Sequence, residues 1–148
     1  MKLAFKLVSA GGLIDRAIGW WTQSPYCHVE LVFDQMGVPD DCFSADPKRG
    51  VRFTHVDWSD TKTWKVVGLA VSESQERVAY FFARDALVGR KYNKRGILRF
   101  LFGFVSSKPN EEFCSQVILI DCQHIGLWPG DPPVRIDPGF LAQLAEAE

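Results

Sequence analysis

Four cysteines in 148 residues, none in a Cys-x-x-Cys pair, are too few and too irregularly spaced for a disulfide framework. Cys27, Cys42, Cys114 and Cys122 therefore read as free thiols, as expected in a reducing compartment. Neither Cys27-His28 nor Cys122-x-His124 has a zinc-site spacing, so no metal and no cofactor is expected. An excess of charge is missing too. The 17 Lys and Arg against 18 Asp and Glu leave a formal net charge of −1, which gives no drive toward nucleic acid or an anionic membrane. No apolar run approaches the ~18 residues of a membrane span. The N-terminus shows no apolar stretch with a cleavage site, so no secretory signal is expected and a cytoplasmic protein is. Repeats, linkers and low-complexity segments are absent. What is present is ordinary globular composition, 47% apolar and 24% charged, long enough to bury a core and read as one domain over 1–148.

Chemistry concentrates in Asn110-Glu-Glu-Phe-Cys-Ser-Gln-Val-Ile-Leu-Ile-Asp-Cys122. Asn110 is a good N-cap, and Glu111 and Glu112 suit the positive end of a helix. Val117, Ile118, Leu119 and Ile120 follow at once, so the helix is expected to be buried. Cys114 falls in its first turn. A thiol there sits beside unpaired backbone N–H groups that favour the thiolate over the free thiol of pKa about 8.5. The plain alternative is a small buried residue.

The partner lies far upstream, in Ser24-Pro-Tyr-Cys-His-Val-Glu-Leu-Val-Phe33. Pro25 punctuates the chain, and a strand is expected from Tyr26 to Phe33. Alternation places His28, Glu30 and Val32 on one face and Val29, Leu31 and Phe33 on the core face. An imidazole with a carboxylate two residues along a strand is a candidate general base with its own orienting group. For Glu30 the plain alternative is a solvated strand face.

The rest of the chain supplies a frame. Leu3, Phe5 and Leu7 alternate with Lys2, Ala4 and Lys6 as a half-buried strand. After Gly11-Gly12, the spacing of Leu13, Ile14, Ala17, Ile18 and Trp21 predicts a helix packed on the core. Trp20 and Trp21 are candidates to line a cleft. A strand is expected at Cys42–Ala45, and Asp46-Pro-Lys-Arg-Gly50 forms a turn. Val51, Phe53 and His55 continue as a strand. His55 is a weaker rival base. Lys48, Arg49 and Arg52 form a basic cluster, either solvated or a grip for a substrate carboxylate. Trp64–Val71 reads as a further strand. Ser72 and Gln75 have capping-box spacing for a helix to about Val88, with Val78, Phe81, Phe82 and Ala86 as its apolar positions and Gly89 as its stop. Ile97, Leu98, Leu101 and Phe102 predict a short helix, and Phe100, Phe102 and Phe104 a greasy surface. Trp128–Pro133 is expected to be a rigid loop. Asp137 and Pro138 cap and open a last helix, Pro138 to Ala147.

A strand-opening His near the N-terminus and a helix-opening Cys near the end resemble the circularly permuted NlpC-like papain-fold cysteine peptidases and amidases. The resemblance runs through Thr22–Phe33, Cys42–Val51, Gly89-Arg-Lys-Tyr-Asn93, Phe113-Cys-Ser-Gln116 and the Pro-rich tail ending in Asp137-Pro138. It implies an α+β fold: an antiparallel sheet carrying His28, packed against helices, one of which carries Cys114. It also implies a third polar residue that orients the imidazole from the strand after His28, and there the position is Ser44, or less well Asp46. Relatives commonly carry Glu, His or Asp at that place. Glu30 and Ser44 therefore stand level as the orienting residue. Tyr92 matches a structural or cleft-lining position.

The expected chemistry is acyl transfer: His28 activates Cys114, the thiolate attacks a carbonyl, and water resolves the thioester. The N–H of Cys114 is the expected oxyanion donor, with Gln116 a weaker one. The resemblance implies amide or peptide hydrolysis, with peptidoglycan-derived peptides as the first substrates and a bacterial or virion-associated setting. Lecithin:retinol acyltransferase-like proteins share the permuted layout. An acyltransferase or lipid-directed thiol hydrolase, and a non-catalytic phage or bacterial module, are the other readings.

Overall fold

The structure, a computed structural model, describes residues 1–92, 111–130 and 136–147, with the side chains of Trp21, Glu111 and Glu112 outside that description. It is an α+β fold built on one antiparallel sheet. Strands β1 (Lys2–Leu7), β2 (Tyr26–Val32), β3 (Cys42–Asp46), β4 (Gly50–Thr54) and β5 (Trp64–Gly68) lie in the order β4-β3-β2-β1-β5. Helix α1 (Leu13–Thr22) joins β1 to β2, and α2 (Glu73–Phe82) runs into a π-turn at Ala83–Leu87. Lys91–Tyr92 (β6) pairs in parallel with Glu111–Glu112 (β7), and α3 (Cys114–His124) and α4 (Pro138–Glu146) complete the described elements. No described helix is long and apolar enough to cross a membrane.

Alternation in the central strands sets the layers. Leu3 pairs with Leu31 and Phe5 with Val29; all four are fully buried and join Val117, Ile118 and Leu119 of α3 in the main core. The opposite row of β1 and β2 pairs Ala4 with Glu30 and Lys6 with His28. Register between β2 and β3 covers only Leu31–Phe43 and Val32–Cys42. Nearer His28, the carbonyl of Val29 takes the Ser44 hydroxyl at 2.6 Å.

Local signals hold where backbone chemistry decides. Ser72 and Gln75 form the reciprocal capping box. Asp137 accepts from the Phe140 N–H at 3.0 Å, with Pro138 opening α4. The Asp46–Gly50 turn is tied by Asp46 Oδ1, which accepts the N–H groups of Lys48 and Arg49, each at 2.9 Å. Gly50 has φ +75°, and a Cβ there would lie 2.5 Å from the Arg90 carbonyl oxygen.

Faces are where expectation and structure part. Across α2 and the π-turn that continues it, the inner side is Glu76, Ala79, Ala83 and Leu87, while Val78 and Phe81 face outward. The small alanines let the helix approach closely. Glu76 is buried because its carboxylate meets the Met1 amino group at 2.8 Å and the Gln35 N–H at 2.9 Å. Glu111 and Glu112 belong to β7, and α3 starts at Cys114 with Phe113 in the N-cap position. The predicted cap Asn110, the predicted helix around Ile97–Phe102, the surface at Phe100, Phe102 and Phe104, and part of the Trp128–Pro133 loop lie outside the described residues.

Candidate active site

The site is assembled from two ends of the chain. On β2 the pleat brings His28 and Glu30 side by side, and His28 Nε2 lies 2.8 Å from Glu30 Oε1. Glu30 is only 1% exposed, where a bare carboxylate would be costly. Arg52 meets that cost from β4, two strands away. Its Nη1 donates to Glu30 Oε2 at 2.7 Å and its Nη2 to Oε1 at 2.6 Å, a two-pronged match of guanidinium and carboxylate. The Nε of Arg52 donates to Asp46 Oδ2 at 2.9 Å.

Burial pushes the Glu30 carboxyl up, but hydrogen bonds from Arg52 and His28 outweigh it and hold the group below the usual carboxylate range. Partial burial likewise opposes ionisation of Asp46. The Arg49 N–H and Arg52 side chain prevail and bring it down to about 2. Arg52 is raised by its two carboxylates despite its burial. Glu30 is therefore a charged, fixed acceptor at neutral pH.

Cys114 stands at the first position of α3, 5% exposed. Phe113 supplies no side-chain cap to the N–H groups of the first turn, which lack intrahelical partners. The next residue anchors the turn: the Ser115 hydroxyl donates to the Ile136 carbonyl. The Cys114 thiol lies within interaction range of the His28 imidazole. Burial alone would pull His28 down. The Cys114 charge and the hydrogen bond to its sulfur, then the Glu30 hydrogen bond and charge, push it up to about 10. With Nε2 on Glu30, Nδ1 is the ring nitrogen left for sulfur. Glu30, Arg52 and Asp46 thus stand in line behind His28, with Cys114 acting on the imidazole as a further neighbour.

The other sequence candidates are distributed elsewhere. Ser44 is fully buried and spends its hydroxyl on Val29, so Glu30 is the residue placed against His28. Asp46 reaches the site only through Arg52. His55 bonds Asp41 Oδ1 at 2.8 Å with its side chain 59% exposed. Arg52 is not an open grip for a substrate carboxylate, because its three guanidinium nitrogens are taken by Glu30 and Asp46. Arg49 is likewise drawn to Asp46, at 3.0 Å. Cys122 is fully buried, and the His124 ring stacks on Phe82 with centroids 3.8 Å apart. Gln116 is half-buried in the first turn of α3. Arg52 as internal counter-ion was the residue missed. The available signal was its place between Val51 and Phe53, which puts it on the face opposite the core.

Cys114 opens on a cavity of about 410 Å³ that Tyr92, Phe113 and Cys27 help to line. The Tyr92 hydroxyl is pushed up by burial, then by the Cys114 charge. Burial pushes the Cys27 thiol up to about 12, with Asp15 adding to it. Among the described residues no group of three or more His, Cys, Asp and Glu could hold a metal ion. Comparison with family models, with curated proteins and with solved structures found no match to any of them.

Proposed function

We propose that the chain is a cysteine hydrolase of the permuted papain-like kind, cleaving an amide or peptide bond through a thioester on Cys114. One observation carries the reading: a single imidazole shared between a helix-opening thiol and a buried, arginine-braced carboxylate. His28 takes the thiol proton, and the sulfur adds to the carbonyl carbon. The N–H of Cys114 supports the developing oxyanion. The imidazolium returns its proton to the leaving nitrogen as the C–N bond breaks. Water then adds to the thioester with His28 again as base, releasing a carboxylic acid and restoring the thiol. Glu30 keeps the imidazole in one tautomer and stabilises its charged form, and Arg52 keeps Glu30 ionised. Peptidoglycan-derived peptides are the first amides to screen, on the resemblance described above.

The test is iodoacetamide alkylation of each cysteine at pH 6, read by peptide mass spectrometry, in wild type and in His28→Ala. Cys114 is expected to react first, and the substitution to slow it at least about tenfold, equivalent to about 1.4 kcal/mol of lost ion pairing. Equal rates in the two proteins would remove the basis for the mechanism.

A further inference from the structure

Helix α1 has an apolar stripe that the core does not cover. Leu13 and Ile14 are 84% and 68% exposed, although their spacing with Ala17 and Ile18 predicts burial. All four line the cavity onto which Cys114 opens, facing Tyr92, Phe113 and Ile136. Three of the polar side chains at its wall have partners outside it. Thr22 donates to the Ile18 carbonyl at 2.9 Å, Ser115 donates to the Ile136 carbonyl, and Asp137 accepts from the Phe140 N–H. A guest therefore meets walls that are mostly hydrocarbon, with the Tyr92 hydroxyl and the Asp137 carboxylate among them, and a nucleophile at one end.

We infer that this cavity seats the acyl part of the substrate, and that the acyl part is a hydrocarbon chain, which moves amides and esters of apolar acids ahead of the charged peptidoglycan-derived stems that the resemblance alone suggests. The inference rests on Cys114 as the nucleophile and names what it attacks: an amide or ester of an apolar carboxylic acid. The volume of about 410 Å³ has room for roughly fourteen chain atoms if each takes about the 30 Å³ of a liquid water. It also falls within the roughly 300–1,000 Å³ of small-molecule pockets. Leu13 and Ile14 at the rim extend the apolar surface outward. Attack by the Cys114 sulfur on the carbonyl carbon displaces the amine or alcohol, which takes the proton from His28. Water then releases the acid.

The test follows acylation of Cys114 by p-nitrophenyl acetate, butyrate and octanoate, using nitrophenolate release and intact mass. Wild type is compared with Ile14→Ser and Ala17→Trp. A p-nitrophenyl ester of N-acetylphenylalanine serves as the peptide-like probe. Each buried methylene is worth about fourfold at most, so octanoate is expected to acylate at least about tenfold faster than acetate. Ala17→Trp, which fills the cavity, should abolish that preference, and the rim change Ile14→Ser should weaken it while circular dichroism confirms folding. Equal rates for acetate and octanoate on Cys114 would overturn the inference and leave the nucleophile standing. Faster acylation by the phenylalanine ester would overturn it in favour of a peptide side chain. Failure of every ester to label Cys114 would overturn the nucleophile, and the inference with it.

Discussion

Replacing Arg52 with Met tests the charge relay where it is most exposed to refutation. Arg52 contributes two hydrogen bonds to Glu30 and one to Asp46. Methionine keeps the length of the side chain and removes the charge. Glu30, 1% exposed, is then left with His28 alone. It can stay ionised, and breaking a buried pair by removing one partner costs about 3–5 kcal/mol. Or it can take up a proton, which for a carboxyl of ordinary pKa about 4.3 costs about 4 kcal/mol at pH 7 but only about 1 kcal/mol at pH 5. The variant is therefore expected to be about 3–4 kcal/mol less stable than wild type at pH 7, with the deficit shrinking by about 2 kcal/mol at pH 5. Wild type does not share this recovery through Glu30. Its carboxyl is depressed in the fold, so its stabilisation is present above the unfolded value and lost only as pH falls through the lower folded one. His28 works in the opposite direction: raised to about 10, it contributes fully below about pH 6.5 and loses that contribution between there and pH 10. Urea denaturation of both proteins at pH 7 and pH 5 measures the effect. A deficit under about 1 kcal/mol at pH 7, or one equal at both pH values, would refute the account of Glu30 as a braced charge.

Asp121 is fully buried on α3, its two oxygens have no hydrogen-bond partner among the described residues, and burial pushes it up to about 8. The folded chain holds a proton there that the unfolded chain releases above about pH 4. Stability should fall by up to about 1.4 kcal/mol per pH unit between about pH 4 and 8 on its account, and Asp121→Asn, followed by denaturation at pH 5 and pH 8, should flatten that slope. Gly50→Ala puts a side chain on a φ of +75° and against the Arg90 carbonyl, so a loss of about 1–3 kcal/mol is expected in thermal unfolding. His55→Ala removes an exposed contact with Asp41; it should change stability by less than about 1 kcal/mol and leave Cys114 alkylation unchanged.

Which elements form was largely readable, because caps, turns and alternation are local. The Ser72–Gln75 box, the Asp46 turn, the Asp137–Pro138 helix start and the core face of β2 stand where residue chemistry alone places them. The adjacency of His28 and Glu30 was readable for the same reason, since a strand repeats every two residues. Arg52 was not, because its contact with Glu30 crosses β3 and depends on sheet order. The outer face of α1 was misassigned for a related reason. Periodicity marks an apolar stripe but not whether a core or a cavity stands opposite it. Ser44, level with Glu30 in the sequence, is separated from it by one feature that no pattern encodes, its bond to the Val29 carbonyl.

His28 takes its carboxylate from its own strand, and the brace behind that carboxylate comes from the next two-strand hairpin. All four residues behind the thiol, His28, Glu30, Asp46 and Arg52, thus belong to one short meander, Tyr26 to Thr54. That meander is made of near-neighbour contacts, the kind that cost little chain entropy to close. The sulfur arrives separately, on a helix encoded much later. On the proposed mechanism, thiol activation requires that helix to dock against the meander. Cys114 reactivity is then a clock for docking of its helix: a refolding chain quenched with iodoacetamide at successive times would record when the two ends meet.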